Sequence, residues 1–139
     1  MLEGIDPLLT GELLWRLDAM GHSDGIALVD AHYRHPRAGQ LQLAFPGVGV
    51  TDLARAIRTV LPIDPEVAPT LMRAPDGPTD VQRELAGVVG VPLGSLTLLD
   101  RYGFYDQVAS SALVVVRTGE RRTYGNVILY KGIAGQAGA

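Results

Sequence analysis

The stretch Gly25-Ile26-Ala27-Leu28-Val29-Asp30 sets the fold class. Four consecutive apolar residues, closed by a carboxylate, read as a strand buried on both faces. Such a strand needs helices on either side of its sheet, and the flanking sequence supplies them. Upstream, Leu13, Leu14, Leu17 and Met20 recur at helical spacing. Thr10 is placed as the N-cap of that helix, Glu12 sits in its first turn, and Gly21 suits its C-terminal end. Downstream, Leu41, Leu43 and Phe45 alternate with polar or small residues as in a half-buried strand that Pro46-Gly47 ends. Thr51 is expected to cap a second helix running to about Leu61, before Pro62 and Pro65. A weak strand over Val67–Met72 is interrupted by Pro69. Thr79 caps a third helix through Val89, Leu96–Leu99 reads as a strand, and Phe104–Ser110 as a short helix. Leu113–Val116 and Asn126–Tyr130 read as strands joined through a polar turn at Thr118-Gly119-Glu120. Residues 132–139 are expected to be a flexible tail. No repeat or linker interrupts residues 1–139, so the expectation is one α/β domain with three α/β/α layers, its helices packed on a buried sheet.

Composition narrows the function. A chain of 139 residues fits one domain and buries enough surface to need no disulfide or metal staple. It has no cysteine, which removes disulfide frameworks, cysteine zinc sites, Fe–S clusters and thiol nucleophiles. This composition and the acidic start, without a basic and apolar leader pattern, fit a cytoplasmic protein. The longest apolar run, Ala112–Val116, is far too short to span a bilayer, so no membrane partner is expected. Net charge is −3 and the only local basic group is Arg117, Arg121 and Arg122, read as a solvated hairpin rim, so no nucleic-acid partner is expected. The single lysine, Lys131, lies near the C-terminal end and makes Schiff-base chemistry a poor fit.

Several short clusters carry chemistry. Gly47-Val48-Gly49-Val50-Thr51-Asp52 has a carboxylate where a dinucleotide fingerprint places a third glycine, and reads as a turn into a helix. His22-Ser23-Asp24 has the letters of a serine triad, but adjacent residues do not form that relay. Asp30-x-His32-x-x-His35 lacks the further ligands of a closed metal site, so no metal is expected. His22 itself has two readings, a cationic cap for the preceding helix or a proton shuttle, and composition does not choose between them. Asp30 ends an apolar strand, where a carboxylate either forms a turn or serves a site at the sheet edge. Arg101 follows another strand end with the same ambiguity, Tyr124 reads as a strand-end aromatic or a site residue, and Asn126 as a turn amide or a site residue.

Taken in order, these segments carry a resemblance. Ile5-Asp6-Pro7-Leu8-Leu9, Glu12-Leu13-Leu14, Met20-Gly21-His22 with Asp24, Asp30-Ala31-His32, Arg101-Tyr102-Gly103-Phe104-Tyr105-Asp106, Thr118-Gly119-Glu120, Tyr124-Gly125-Asn126 and Lys131-Gly132 resemble the fucose mutarotase and ribose pyranase family. The match runs through nearly the whole chain and is weakest over 33–40 and 62–92. Arg101, the Phe-Tyr that follows it, and Tyr-Gly-Asn resemble the fucose branch. The resemblance implies a sugar isomerase without metal or cofactor. His22 would be its acid/base group, and Asp30, Arg101, Tyr124, Gly125 and Asn126 would bind a monosaccharide. It also implies a closed homo-oligomer, a decamer or a tetramer. The competing reading is a sugar-binding accessory protein without turnover, which has no need of a titrating group at His22.

Strand length adds an expectation. From Ile26 to Asp30 a strand advances ~13 Å at ~3.3 Å per residue, so His22 before it and Asp30 after it do not reach one monosaccharide within one chain. A pocket at a subunit interface reconciles the two.

Overall fold

The computed structural model describes residues 1–136; part of the expected tail, 137–139, lies outside them. The elements follow in the order α1 (Gly11–Ala19), β1 (Gly25–Val29), β2 (Leu41–Phe45), α2 (Val50–Arg58), β3 (Thr70–Met72), α3 (Asp80–Val89), β4 (Thr97–Leu99), α4 (Arg101–Ser111), β5 (Ala112–Thr118) and β6 (Val127–Tyr130). A short 3₁₀ turn at Leu93–Ser95 leads into β4. The six strands form one mixed sheet in the order β2-β5-β1-β6-β3-β4. Neighbours are parallel except where β6 runs antiparallel to β1 and β3.

All five residues of β1 are buried, as expected of a central strand. Its side chains alternate between two cores. Ile26 and Leu28 face Leu13 and Leu17 of α1, Leu53 and Ile57 of α2, and Leu85 of α3. Ala27 and Val29 face Phe104 and Val108 of α4, together with Tyr33. This is the three-layer α/β/α arrangement. Complete burial of each such large side chain contributes roughly 1.5–3 kcal/mol, so the sheet and its two helical layers stabilise one another. No helix among the described residues is long and apolar enough to cross a membrane.

Several expectations are corrected. β5 and β6 are not a hairpin, because β1 lies between them and pairs with both. The turn residues Thr118-Gly119-Glu120 therefore start a crossing loop, and Arg122 in it is an ion-pair partner of Glu84 and Glu120 rather than a free rim charge. Thr51 does not cap α2. Gly49 holds the N-cap position without a side-chain bond, and the Thr51 hydroxyl donates to Glu84 of α3 instead. That helix also stops at Arg58 rather than Leu61. Finally, the short helix expected over Phe104–Ser110 is three turns long, because the Asp100 side chain accepts from the Gly103 amide and starts it at Arg101.

Lys131 settles the end of α1. Its Nζ donates to the carbonyls of Leu17 at 2.7 Å, Asp18 at 3.3 Å and Met20 at 2.7 Å. A cation on the last carbonyls is the cap that His22 was one candidate for. Next to it the Gly132 amide donates to the Pro62 carbonyl at 2.7 Å, which ties the beginning of the expected tail to the loop after α2.

Candidate functional site

The parallel strands β1, β3 and β4 end at one edge of the sheet, where β6 and α4 begin. Open sheets of this kind bind ligands at such an edge. There Asp30, the residue after β1, is 4% exposed and Asn126, the residue before β6, is 3% exposed. The two bind reciprocally. The Asp30 amide donates to Asn126 Oδ1 at 2.8 Å, and Asn126 Nδ2 donates to Asp30 Oδ2 at 3.1 Å. Asp30 Oδ1 accepts the His32 amide at 3.0 Å. Burial raises the proton affinity of Asp30 above that of an ordinary carboxyl, against the opposing hydrogen bonds from His32, Asn126 and the Gly125 amide.

These groups open onto a pocket of about 170 Å³. Asp30, Asn126, Tyr124 and Arg101 contribute its polar side, with Thr123 and His32 beside them. Met72, Tyr33 and Tyr105 form its apolar side. Tyr33 and Tyr105 meet edge to face with centroids 5.3 Å apart, and Arg34 lies over the Tyr105 ring at 4.0 Å. Burial pushes the Tyr33 phenol well above its usual range, so it stays protonated. The His32 ring bonds through Nε2 to the Arg121 carbonyl at 2.9 Å. A carbonyl only accepts, so the ring proton is on Nε2 in the neutral form. Arg101 stands exposed in the first turn of α4, its guanidinium 5.0 Å from the Tyr102 ring centroid.

Tyr124 has φ of +63°. Non-glycine residues rarely adopt this left-handed conformation, and such outliers gather at functional sites. Gly125 follows it for a steric reason. A side chain there would press on Glu120, Val50 and Val81, all within 3.3 Å of the added carbon. Gly125 thus lets the loop settle against α2 and α3.

A second cluster occupies the opposite edge of the sheet. His22 is half-exposed, and its Nε2 lies 3.3 Å from Oδ2 of Asp64, whose side chain is 1% exposed. The Ser23 hydroxyl donates to the same oxygen at 2.8 Å. Asp64 Oδ1 accepts the Glu66 amide at 2.9 Å. The Glu66 amide, the Ser23 hydroxyl and His22 together hold Asp64 below the ordinary carboxylate range. Ser23, with φ of +69°, is the other non-glycine residue with positive φ among those described. Its amide donates to the Lys131 carbonyl at 2.8 Å, which secures the turn.

Asp30, Arg101, Tyr124 and Asn126 therefore converge on one pocket, with Gly125 packed behind it, whereas His22 stands at the other end of β1. Asp64 had no signal in the sequence, because it sits between Pro62 and Pro65 in a stretch that reads only as a connection. Tyr33 and Met72 had none either, and Tyr105 stood out only as part of the Arg101–Asp106 segment of the resemblance. In the sequence His32 reads as a candidate metal ligand, as an exposed turn residue, or as part of the Asp30-Ala31-His32 segment of the resemblance, with no role in sugar binding. Among the described residues no group of three or more His, Cys, Asp and Glu side chains is arranged to hold a metal ion.

The RbsD / FucU transport protein family model matches residues 3–134 of the chain. The fucose mutarotase from Streptococcus pneumoniae, solved in complex with L-fucose, is 30% identical, with 96% of this chain and 99% of that one covered and a TM-score of 0.84. FucU from Bifidobacterium longum is also 30% identical, with coverages of 95% and 99% and a TM-score of 0.85. RbsD from Bacillus subtilis, solved with D-ribose, shares the fold at 23% identity, coverages of 96% and 98% and a TM-score of 0.76.

Proposed function

This chain belongs to the RbsD / FucU transport protein family, and from that premise we propose that it is a monosaccharide mutarotase acting on L-fucose or a closely related sugar. The observation that carries the reading is the buried Asp30–Asn126 pair facing Tyr124 and Arg101 across a pocket of monosaccharide size. A carboxylate and an amide accept from and donate to ring hydroxyls. Met72 and Tyr105 suit an apolar sugar face.

In this reading His22 takes the proton of the anomeric hydroxyl. The bond from the anomeric carbon to the ring oxygen breaks, and the ring oxygen takes a proton from the Tyr124 phenol. The aldehyde turns, and reclosure returns both protons to their original groups. Arg101 binds the oxygen that gains charge as the ring opens. Asp64 orients the His22 ring, as a buried carboxylate beside an imidazole does. No metal or covalent intermediate enters.

His22 and the pocket lie at opposite edges of one chain. We place the working site between neighbouring subunits of a homo-oligomer, a decamer by resemblance, in which one chain supplies the pocket and the next supplies His22 with Asp64. Tyr102, 65% exposed beside Arg101, and Trp15, 57% exposed on α1, are large apolar side chains suited to contact with a neighbour.

Saturation-transfer NMR on L-fucose, D-ribose, L-rhamnose and galactose tests the activity directly. Accelerated α/β interconversion of at least one sugar is expected. Binding without acceleration of any sugar replaces the reading with that of an accessory binding protein. His22→Ala is expected to reduce turnover roughly 10²–10⁴-fold while binding largely survives; equal loss of both would remove the acid/base role.

A further inference from the structure

Behind the pocket lies a further polar cluster that the chemistry above does not use. Arg122 reaches Glu84 of α3 through Nη1 at 2.6 Å and Nη2 at 3.0 Å. The same guanidinium reaches Glu120 through Nη2 at 2.9 Å and Nε at 3.1 Å, and the Arg122 amide adds a bond at 3.2 Å. Glu84 also accepts the hydroxyl of Thr51, a buried residue of α2, at 2.8 Å. One guanidinium thus clamps α2, α3 and the crossing loop between β5 and β6.

From this cluster the loop contacts run toward the pocket. The Glu120 carbonyl accepts the Ala31 amide at 2.8 Å, next to Asp30. The Arg121 carbonyl accepts from the His32 ring at 2.9 Å. The Glu120 side chain is the surface on which Gly125 rests. Between Arg122 and Gly125 stands Tyr124 in its left-handed conformation, which needs its surroundings to hold it.

We infer that Arg122, with Glu84 and Glu120, is a positioning residue that holds the 119–126 loop so that Tyr124, Asn126 and Asp30 keep their places in the pocket. An isolated surface ion pair does little. This one is bidentate to each of two carboxylates, and Glu120 is 7% exposed, so the hydrogen bonds act as a set. The guanidinium keeps its charge across the working pH range, held higher still by its two acids, so the clamp does not open by titration of the arginine.

The structural part of this inference stands without any sugar chemistry; its kinetic part rests on the mutarotase reading. Amide hydrogen exchange in Arg122→Gln, Arg122→Lys and the isosteric Glu84→Gln tests the first. Arg122→Gln is expected to speed exchange of the Asp30 and Ala31 amides about tenfold or more while Leu28 and Val115 in the central strands keep their protection. Unchanged exchange at Asp30 and Ala31 overturns the inference. So does an equal rise at Leu28 and Val115, which would mark a purely global role. Arg122→Lys, which keeps the charge but loses the fork, is expected to recover part of the protection. In the kinetic arm, Arg122→Gln is expected to lower kcat about tenfold with a smaller change in KM, and to be non-additive with Tyr124→Phe. Full kcat in Arg122→Gln overturns the positioning role. A wild-type protein without mutarotation would sink the proposed function, and the exchange result would still decide whether the clamp holds the loop.

Discussion

Asp30 and Asp64 are both buried, with opposite consequences. Asp64 receives an amide, a hydroxyl and an imidazole, and its proton affinity falls. Its contribution to stability is present above the usual carboxyl value of 3.8 and drains as pH falls through its lower folded value. Asp30 is raised by burial, so its charged form costs stability above 3.8 and its protonation relieves that cost as pH falls through the higher folded value. That raised value is also where the pocket exchanges a carboxylate for a carboxylic acid. Sugar affinity, followed by NMR titration, is therefore expected to fall with a midpoint above 3.8, and Asp30→Asn is expected to remove that dependence. At the other edge, Asp64→Asn is expected to keep sugar affinity and lower kcat roughly 10²–10⁴-fold, since the imidazole loses the group that orients it. Turnover unchanged by that substitution would mean His22 works without its partner.

Among the elements, those with local punctuation were readable and those set by distant residues were not. The third helix has Thr79 and Gln82 in a reciprocal capping box and Gly90 in the left-handed conformation at its end, at φ of +83°. Both signals are written in neighbouring residues. Thr79→Ala is expected to cost about 0.5–2 kcal/mol, read as a lower thermal midpoint with the fold retained. The N-cap of the second helix lies two residues before Thr51, whose hydroxyl is taken by Glu84 of another helix, a partner that no local pattern announces. The strands β5 and β6 read as a hairpin in the sequence for a related reason. A polar turn between two apolar runs suggests pairing, and only the register of β1 with both of them shows that they are separated. The candidate site divides in the same way. Asp30 and Asn126 were visible as polar ends of apolar strands, whereas Asp64 became visible only once the fold brought it beside His22.

At the scale of the whole molecule, β1 separates the two candidate clusters, and a shared site makes a countable prediction. If each pocket draws His22 from a neighbour, chains carrying His22→Ala and chains carrying Asp30→Ala are each inactive alone. Mixed and reassembled in equal amounts, they are expected to regain activity at about a quarter of the sites, since a quarter pair an intact pocket with an intact histidine. No recovery in a demonstrably mixed oligomer would place the whole site within one chain. The same strand order also bears on how the protein is made. β1 leaves the ribosome early, yet both of its ladders come from the last third of the chain, Ala112–Thr118 and Val127–Tyr130. Until those residues are synthesised, Ile26 to Val29 are an apolar strand with two open edges, the form most prone to pair with the wrong chain. Folding is therefore expected to wait until β5 and β6 are synthesised and to proceed at the slow pace of long-range pairing.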